Sequence, residues 1–154
     1  MVLDVEWSAE TVTKDQIKWL EEQLDDIPDE DWKIVLGHGF YYASGTTVMG
    51  RDWFDNPETI SVLAGIFEKY GVDIVFSGHN HDLEYLEYSS VSYVVCGGFG
   101  GTHDPAPTYL SPASRWLEYG RSGFADIAIE KDRAVLSFRG PDGDVLGTFT
   151  ISNR

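Results

Sequence analysis

The chain has 154 residues, of which 42% are hydrophobic and 14% aromatic, so it can bury the core of one globular domain. Its 26 acidic and 11 basic side chains give a formal net charge of −15, which argues against nucleic acid and anionic membrane surfaces as partners. No apolar run approaches the roughly 20 residues that a membrane-spanning helix needs, and the N-terminus shows no signal-peptide pattern.

The first 36 residues predict a strand, a helix and a second strand. Val2 to Glu6 are predicted to form a short strand, and a strand that begins this early suggests a chain cut from something longer. Thr13 has the spacing of a helix N-cap, with Gln16 reaching back to it in a capping box. The helix is predicted to end before Pro28, and Trp32 to Leu36 to form a buried strand.

A long aromatic segment, residues 39–56, follows this strand and shows no regular pattern; we call it the aromatic loop. Connections of this length are more often functional than neutral. Asn56 and Pro57 predict the cap and first position of a helix that Gly71 ends. Val72 to Phe76 predict the next strand, which completes a βαβ unit with parallel strands and a right-handed crossover.

Histidines follow both strands of this unit. His38 follows the first strand after a single glycine, Gly37, and the run Gly78-His79-Asn80-His81 follows the second, so the order of strand, glycine and histidine occurs twice. Gly78 is expected to let the backbone turn where a side chain would obstruct it. Parallel strands end at one edge of a sheet, and imidazole is the commonest metal ligand, so His38, His79 and His81 predict a metal site. The alternatives are a core histidine at position 38 and an ordinary polar turn at 79–81.

The second half of the sequence is β-rich. Leu83 to Tyr88 and Val91 to Cys96 predict a hairpin, and the glycine-rich residues 97–101 predict a flexible turn. Residues 102–120, the proline-rich segment, are predicted to form a second long loop carrying His103, a surface residue or one that faces a site. The remaining strands predict an antiparallel meander: Phe124–Glu130, Arg133–Arg139 and Val145–Ile151.

These motifs and the order of the segments resemble the C-terminal half of the calcineurin-like metallophosphoesterases, with the purple, or tartrate-resistant, acid phosphatases as the nearest branch. The likeness runs from Gln16 through both histidine motifs to the final meander. The resemblance implies an α/β fold, half of an α/β/β/α sandwich in which a βαβ unit precedes a mostly antiparallel meander. Residues 1–154 would then be part of one domain, with residues 1–82 as the βαβ portion and residues 83–154 as the β-rich portion.

The resemblance also implies a function and a set of ligands. In the intact domain, a pair of iron, zinc or manganese ions would clamp a phosphate ester and generate a hydroxide that attacks phosphorus. His38 and His79 would bind the second metal and His81 the first. Tyr41, Arg51 and His103 are the candidates for facing the substrate. The family likeness points weakly to an extracytoplasmic location.

The departures from the family pattern concern the other ligands. The family's Asp-x-His, Gly-Asp-x-x-Asp and Gly-Asn-His blocks do not occur in this sequence. Three neutral imidazoles cannot supply the anionic bridge that holds two cations together. The chain alone is therefore expected to be inactive and to hold at most one ion weakly, and the parent protein to be the enzyme.

Two other interpretations stay open. Three histidines and an open water position would suit a self-sufficient mononuclear zinc hydrolase. A metal-free binding module derived from half of a phosphoesterase would use the aromatic loop as its contact surface. A domain that lacks one sheet should expose a broad apolar face. Its expected partner is the missing N-terminal half or a second copy of the chain.

Overall fold

Ten strands and three α-helices form the part of the chain that the computed structural model describes, residues 1–6 and 11–153. The helices are α1 (Lys14–Asp25), α2 (Pro57–Thr59) and α3 (Gly65–Lys69), and a π-helical segment, Ile60–Ala64, joins the last two. The strands are β1 (Ile34–Leu36), β2 (Thr47–Val48), β3 (Arg51–Asp52), β4 (Ile74–Ser77), β5 (Leu83–Tyr88), β6 (Val91–Cys96), β7 (Ser114–Glu118), β8 (Phe124–Ile129), β9 (Arg133–Arg139) and β10 (Val145–Ser152).

A mixed five-stranded sheet carries the candidate site, with strand order β1-β4-β6-β5-β7. β1 pairs parallel with β4, and β4 pairs parallel with β6, whereas β5 runs antiparallel to β6 and β7. The predicted βαβ unit and hairpin are therefore confirmed. Residues 1–6 lie beside β1, where the Leu3 N–H donates to the Leu36 carbonyl at 2.8 Å, but only Val2 forms a bridge, so the strand predicted there is wrong.

The five-stranded sheet is buried on both faces. Val75 and Tyr93 face a core shared with the helices, whereas Ile74 and Val94 face a second core under the sheet β10-β9-β8. Successive residues of a strand point to opposite faces, which explains why β4 and β6 are apolar nearly throughout. The result is an α/β fold with the helices on one side of the central sheet and the antiparallel meander on the other.

The broad apolar face expected of an incomplete domain is not found on this central sheet, because both of its faces are covered. Large hydrophobic side chains that are exposed lie on separate elements of the described chain: Val2, Trp19, Leu36, Met49, Tyr88, Phe99, Leu110, Tyr119, Ile129 and Val145. Within the same residues, no helix combines the length and the apolar character needed to cross a membrane.

The N-terminus of α1 follows the prediction in part. The Thr13 hydroxyl accepts a hydrogen bond from the Gln16 N–H at 3.1 Å, so the predicted cap is confirmed. The reciprocal half of the capping box is wrong. The Gln16 side chain instead accepts from the Asp4 N–H at 2.7 Å and donates to the Asp4 carbonyl at 3.2 Å. This contact ties α1 to residues 1–6, which local spacing cannot reveal.

Both segments predicted to be long irregular loops contain strands. In the aromatic loop, β2 and β3 form a small hairpin whose turn residues, Met49 and Gly50, have φ of 51° and 76°. Positive φ at both positions suits the tight turns that match strand twist. In the proline-rich segment, β7 pairs with β5. That pairing joins residues distant in sequence, and the local pattern around Pro112 gave no sign of it.

Candidate metal centre

His38 and His79 lie together at the carboxyl ends of β1 and β4, as the topology predicts. The His38 carbonyl accepts hydrogen bonds from the N–H groups of Gly78 and His79, at 3.1 and 2.9 Å. These bonds join the two strand ends directly and place the imidazole rings nearly perpendicular, with centroids 5.3 Å apart. His38 Nε2 and His79 Nδ1 are 3.4 Å apart.

The separation of these two nitrogens matches that of two ligands of one metal ion. Nitrogens bound at about 2.0–2.1 Å with tetrahedral angles lie about 3.4 Å from each other. The same distance is long for an N–H···N hydrogen bond. The spacing of the pair therefore makes His38 and His79 candidate ligands of one ion.

Burial favours the metal-binding form of His79. Its side chain is 6% exposed and stacks on Phe40, with Trp53 against its edge. Burial, and after it the neighbouring His38, lowers the pKa of His79. The imidazole therefore stays neutral at pH 7 and keeps the lone pair with which it binds a cation.

His81 is oriented by a different contact, with the proline-rich segment. Its Nδ1 donates to the Thr102 carbonyl at 2.6 Å, and its backbone N–H donates to the Asp104 carboxylate at 2.7 Å. Because a carbonyl only accepts, Nδ1 carries a proton, and Nε2 is the nitrogen left to bind a metal in the corresponding neutral tautomer. A carbonyl on the far nitrogen is how metal-binding histidines are usually held.

The three histidines do not converge on one point. Among residues 1–6 and 11–153, no group of three or more His, Cys, Asp or Glu side chains is arranged to hold a metal ion. The three-histidine mononuclear zinc site therefore lacks its third donor in this geometry. His38 and His79 therefore form a pair of candidate ligands without His81 as a third.

Asn80 fixes the loop that carries these histidines, residues 78–82, which we call the histidine loop. Its side chain is 1% exposed, and its Nδ2 donates to the carbonyls of Ser44 and Trp53, at 3.2 and 3.0 Å. The aromatic loop is thereby held against the back of the histidine loop. Sequence reasoning assigned no role to Asn80, although an amide between two histidines was the available signal.

A buried carboxylate, Glu84, anchors the aromatic loop from the other side. Its two oxygens accept hydrogen bonds from the Ser44 N–H at 2.8 Å and the Ser44 hydroxyl at 2.6 Å. The Ser111 N–H in turn donates to that hydroxyl at 3.0 Å. Burial raises the pKa of Glu84. Sequence reasoning missed this residue too, and its only signal was an acid inside the apolar run Leu83–Tyr88.

The glycine that shapes the histidine loop is Gly97 and not Gly78. A methyl group on Gly78 would meet nothing within 4 Å, and its φ is not in the left-handed region, so the expectation that a side chain obstructs this turn is wrong. A methyl group on Gly97 would overlap the carbonyl oxygens of Gly78 and Asn80. The segment predicted to be a flexible turn is thus in close backbone contact with the site.

The substrate-facing candidates lie in three different environments. Tyr41 is 1% exposed and packs on Phe67 and Tyr93 in the core, so the prediction that it faces a substrate is not supported. Arg51 is exposed in the β2–β3 hairpin. His103 is half-buried between the two residues that hold His81, which keeps it beside the candidate centre.

The fold and the histidines define an α/β protein with candidate metal ligands at the carboxyl edge of its parallel strands, and comparison with known proteins agrees. Residues 2–83, more than half of the chain, match the Calcineurin-like phosphoesterase family. This chain belongs to that family. The family predicted from its histidine motifs is therefore confirmed.

Individual relatives include purple acid phosphatases, the branch of the family that the sequence motifs resemble. The chain is 32% identical over 111 residues to the Fe(3+)-Zn(2+) purple acid phosphatase 12 of Arabidopsis thaliana, covering 68% of this chain and 23% of the relative. It is 27% identical over 161 residues to a nucleotide pyrophosphatase/phosphodiesterase of Hordeum vulgare, covering 88% and 43%. The purple acid phosphatase PPD1 of Lupinus luteus shares the fold, with a TM-score of 0.82, 24% identity, and coverage of 98% and 30%. The chain thus spans less than half the length of these proteins.

Proposed function

We propose that this chain supplies one side of the metal centre of a phosphoesterase of the purple acid phosphatase type. The observation that carries this proposal is the 3.4 Å separation of His38 Nε2 and His79 Nδ1. His38 and His79 hold one ion, and His81 presents Nε2 to another. A pair of ions supplies the Lewis acid and the nucleophile for hydrolysis of a phosphate ester.

The candidate ligands found in this chain support its assignment to one side of the metal centre only. Its candidate ligands are neutral imidazoles, and the carboxylate-bearing motifs Asp-x-His and Gly-Asp-x-x-Asp do not occur in the sequence. Two cations at short range need an anionic bridge between them. The bridge, and with it the hydrolytic activity, comes from a polypeptide segment other than these 154 residues. The name of the Arabidopsis relative makes iron and zinc the first pair to test.

The two portions of the chain act as parts of one domain in this proposal. β4, from residues 1–82, pairs with β6, from residues 83–154, inside one sheet. His81 at the end of the first portion is held by Thr102 and Asp104 of the second. The β-rich portion therefore orients a ligand that the βαβ portion carries.

Zinc binding by the isolated chain tests the histidine pair. We expect one weakly bound Zn²⁺ per chain. His79→Ala should weaken zinc binding about 100-fold, because a site with two imidazole ligands is left with one. Calorimetric titration measures the affinity, and Co²⁺ substitution reports the coordination through its visible absorption. His103→Ala is the matched control and should bind zinc like the parent. Equal zinc affinity in the His79→Ala variant and the parent would refute the assignment.

Phosphatase activity tests whether hydrolysis requires the carboxylate ligands that this chain lacks. With Zn²⁺, Fe³⁺ or Mn²⁺ added, the isolated chain should hydrolyse an aryl phosphate no faster than its His38→Ala, His79→Ala variant. Steady-state release of the phenolate measures this rate. Metal-dependent turnover that the double variant loses would instead identify a self-sufficient hydrolase.

A further inference from the structure

Phe99 carries an exposed aromatic ring on the turn that follows β6. Its side chain is 76% exposed, and its ring meets that of Phe124 edge to face, with centroids 6.4 Å apart and planes at 83°. Both rings line one cavity of about 500 Å³, whose walls are formed by Phe99, Gly100, Ser122, Gly123, Phe124 and Pro141. That volume and those apolar, aromatic walls are typical of small-molecule pockets. A ligand that covers the Phe99 ring would remove apolar surface from water.

Backbone hydrogen bonds fix the walls of this cavity next to the histidine loop. The Gly98 N–H donates to the Asp82 carbonyl at 3.1 Å, and the Gly123 N–H donates to the Gly98 carbonyl at 2.9 Å. The first bond ties the turn that carries Phe99 to the residue that follows His81. The second ties the opposite wall of the cavity to that same turn.

The same turn also contacts the imidazole ring of His81. A methyl group on Gly101 would lie 3.8 Å from His81 Cε1, the ring carbon that is bonded to both nitrogens. Gly101 is two residues from Phe99, a span of at most about 7 Å. Neither Gly100 nor Gly101 has a side chain, so this segment places none between the Phe99 ring and His81. The cavity therefore lies beside the candidate metal centre.

We propose that this cavity binds the aromatic ring of a phosphate ester whose phosphate lies at the metal centre. The inference rests on the proposed function, because the metal centre must hold the phosphate. No charged side chain is among the six lining residues, so the cavity suits a neutral ring and not a second anionic group. Phe99 and Phe124 offer aromatic faces and edges against which such a ring packs favourably. An aryl ester carries its ring one oxygen away from phosphorus, which matches two neighbouring sites for its two parts.

Binding of 1-naphthol to the metal-free chain, measured by NMR titration, tests the cavity itself. We expect saturable binding at one site, which Phe99→Ala weakens at least about tenfold because the bound ring loses one wall. The saturated alcohol decahydro-1-naphthol should bind at least about threefold more weakly, since it forms no aromatic pair. Leu110→Ala, which removes an exposed apolar side chain outside the cavity, is the matched control and should bind like the parent. Equal affinity of 1-naphthol for Phe99→Ala and the parent, or equal affinity of the parent for the two alcohols, would overturn the proposal.

Paramagnetic relaxation by Co²⁺ tests the link between the cavity and the metal centre. Co²⁺ held by His38 and His79 should shorten the proton relaxation times of bound 1-naphthol in the parent but not in the His38→Ala, His79→Ala variant. Bound Co²⁺ that leaves these relaxation times unchanged would place the ring far from the metal and overturn the proposal. A parent that binds no Co²⁺, as its visible spectrum reports, would refute the proposed function, and with it the role of the cavity in substrate binding, even where 1-naphthol still binds. Dimers in sedimentation that Phe99→Ala dissociates would identify the cavity as an interface between copies of the chain, against the proposal.

Discussion

Gly97→Ala is expected to destabilise the chain by at least about 3 kcal/mol and to abolish metal binding by the histidine pair. The added methyl group would overlap the carbonyl oxygens of Gly78 and Asn80. Both are backbone atoms, so no side chain can rotate to relieve the overlap. The histidine loop or the end of β6 must move, and either movement displaces His79 from His38.

Gly78→Ala is the control for this prediction. Gly78 lies in the same loop, has open space around its Cα and does not adopt a left-handed φ, so its substitution should change stability by no more than about 0.5 kcal/mol. Urea denaturation gives both free energies of unfolding, and the Co²⁺ spectrum reports the imidazole pair. A Gly97→Ala variant as stable as Gly78→Ala, with the parent's spectrum, would contradict the close backbone contact.

The two glycines also show where sequence reasoning reached its limit. The repeated order of strand, glycine and histidine placed His38 and His79 at one sheet edge, because parallel pairing follows from a βαβ unit. The same reasoning assigned the steric role to Gly78, which is adjacent in sequence, whereas Gly97 reaches the loop only through the pairing of β6 with β4. A contact made by tertiary packing leaves no mark in a local pattern.

The supporting residues were missed for the same reason. Asn80, Glu84 and Asp104 act on the site through Ser44, Trp53 and the His81 backbone, across separations of 23 to 40 residues. Motif spacing identifies ligands, because ligands must lie close to one another at a strand end. It does not identify the groups that orient those ligands, since each can come from any segment that folds nearby.

Removal of Glu84, one of these supporting groups, should be the second most costly change after Gly97→Ala. Glu84→Ala is expected to lower the free energy of unfolding by about 3 kcal/mol, because the buried Ser44 N–H and hydroxyl lose their acceptors. Glu84→Gln keeps an acceptor and the shape of the side chain, so it should cost about 1 kcal/mol. Urea denaturation at pH 5 measures both. Equal losses in the two variants would contradict this expectation, because Gln preserves the volume and one acceptor that Ala removes.

The pH dependence of stability gives an independent test of Glu84. Its pKa in the folded chain is raised above the ordinary value of 4.5, because burial disfavours the carboxylate. The stability that the protonated group contributes is fully present below pH 4.5 and is lost as the pH rises through the folded pKa. Stability measured from pH 4 to 8 should therefore fall less steeply in Glu84→Gln than in the parent. Glu68→Gln, an exposed exchange, controls for the loss of one charge, and parallel curves for parent and Glu84→Gln would show that Glu84 is ionised in the folded chain as readily as in water.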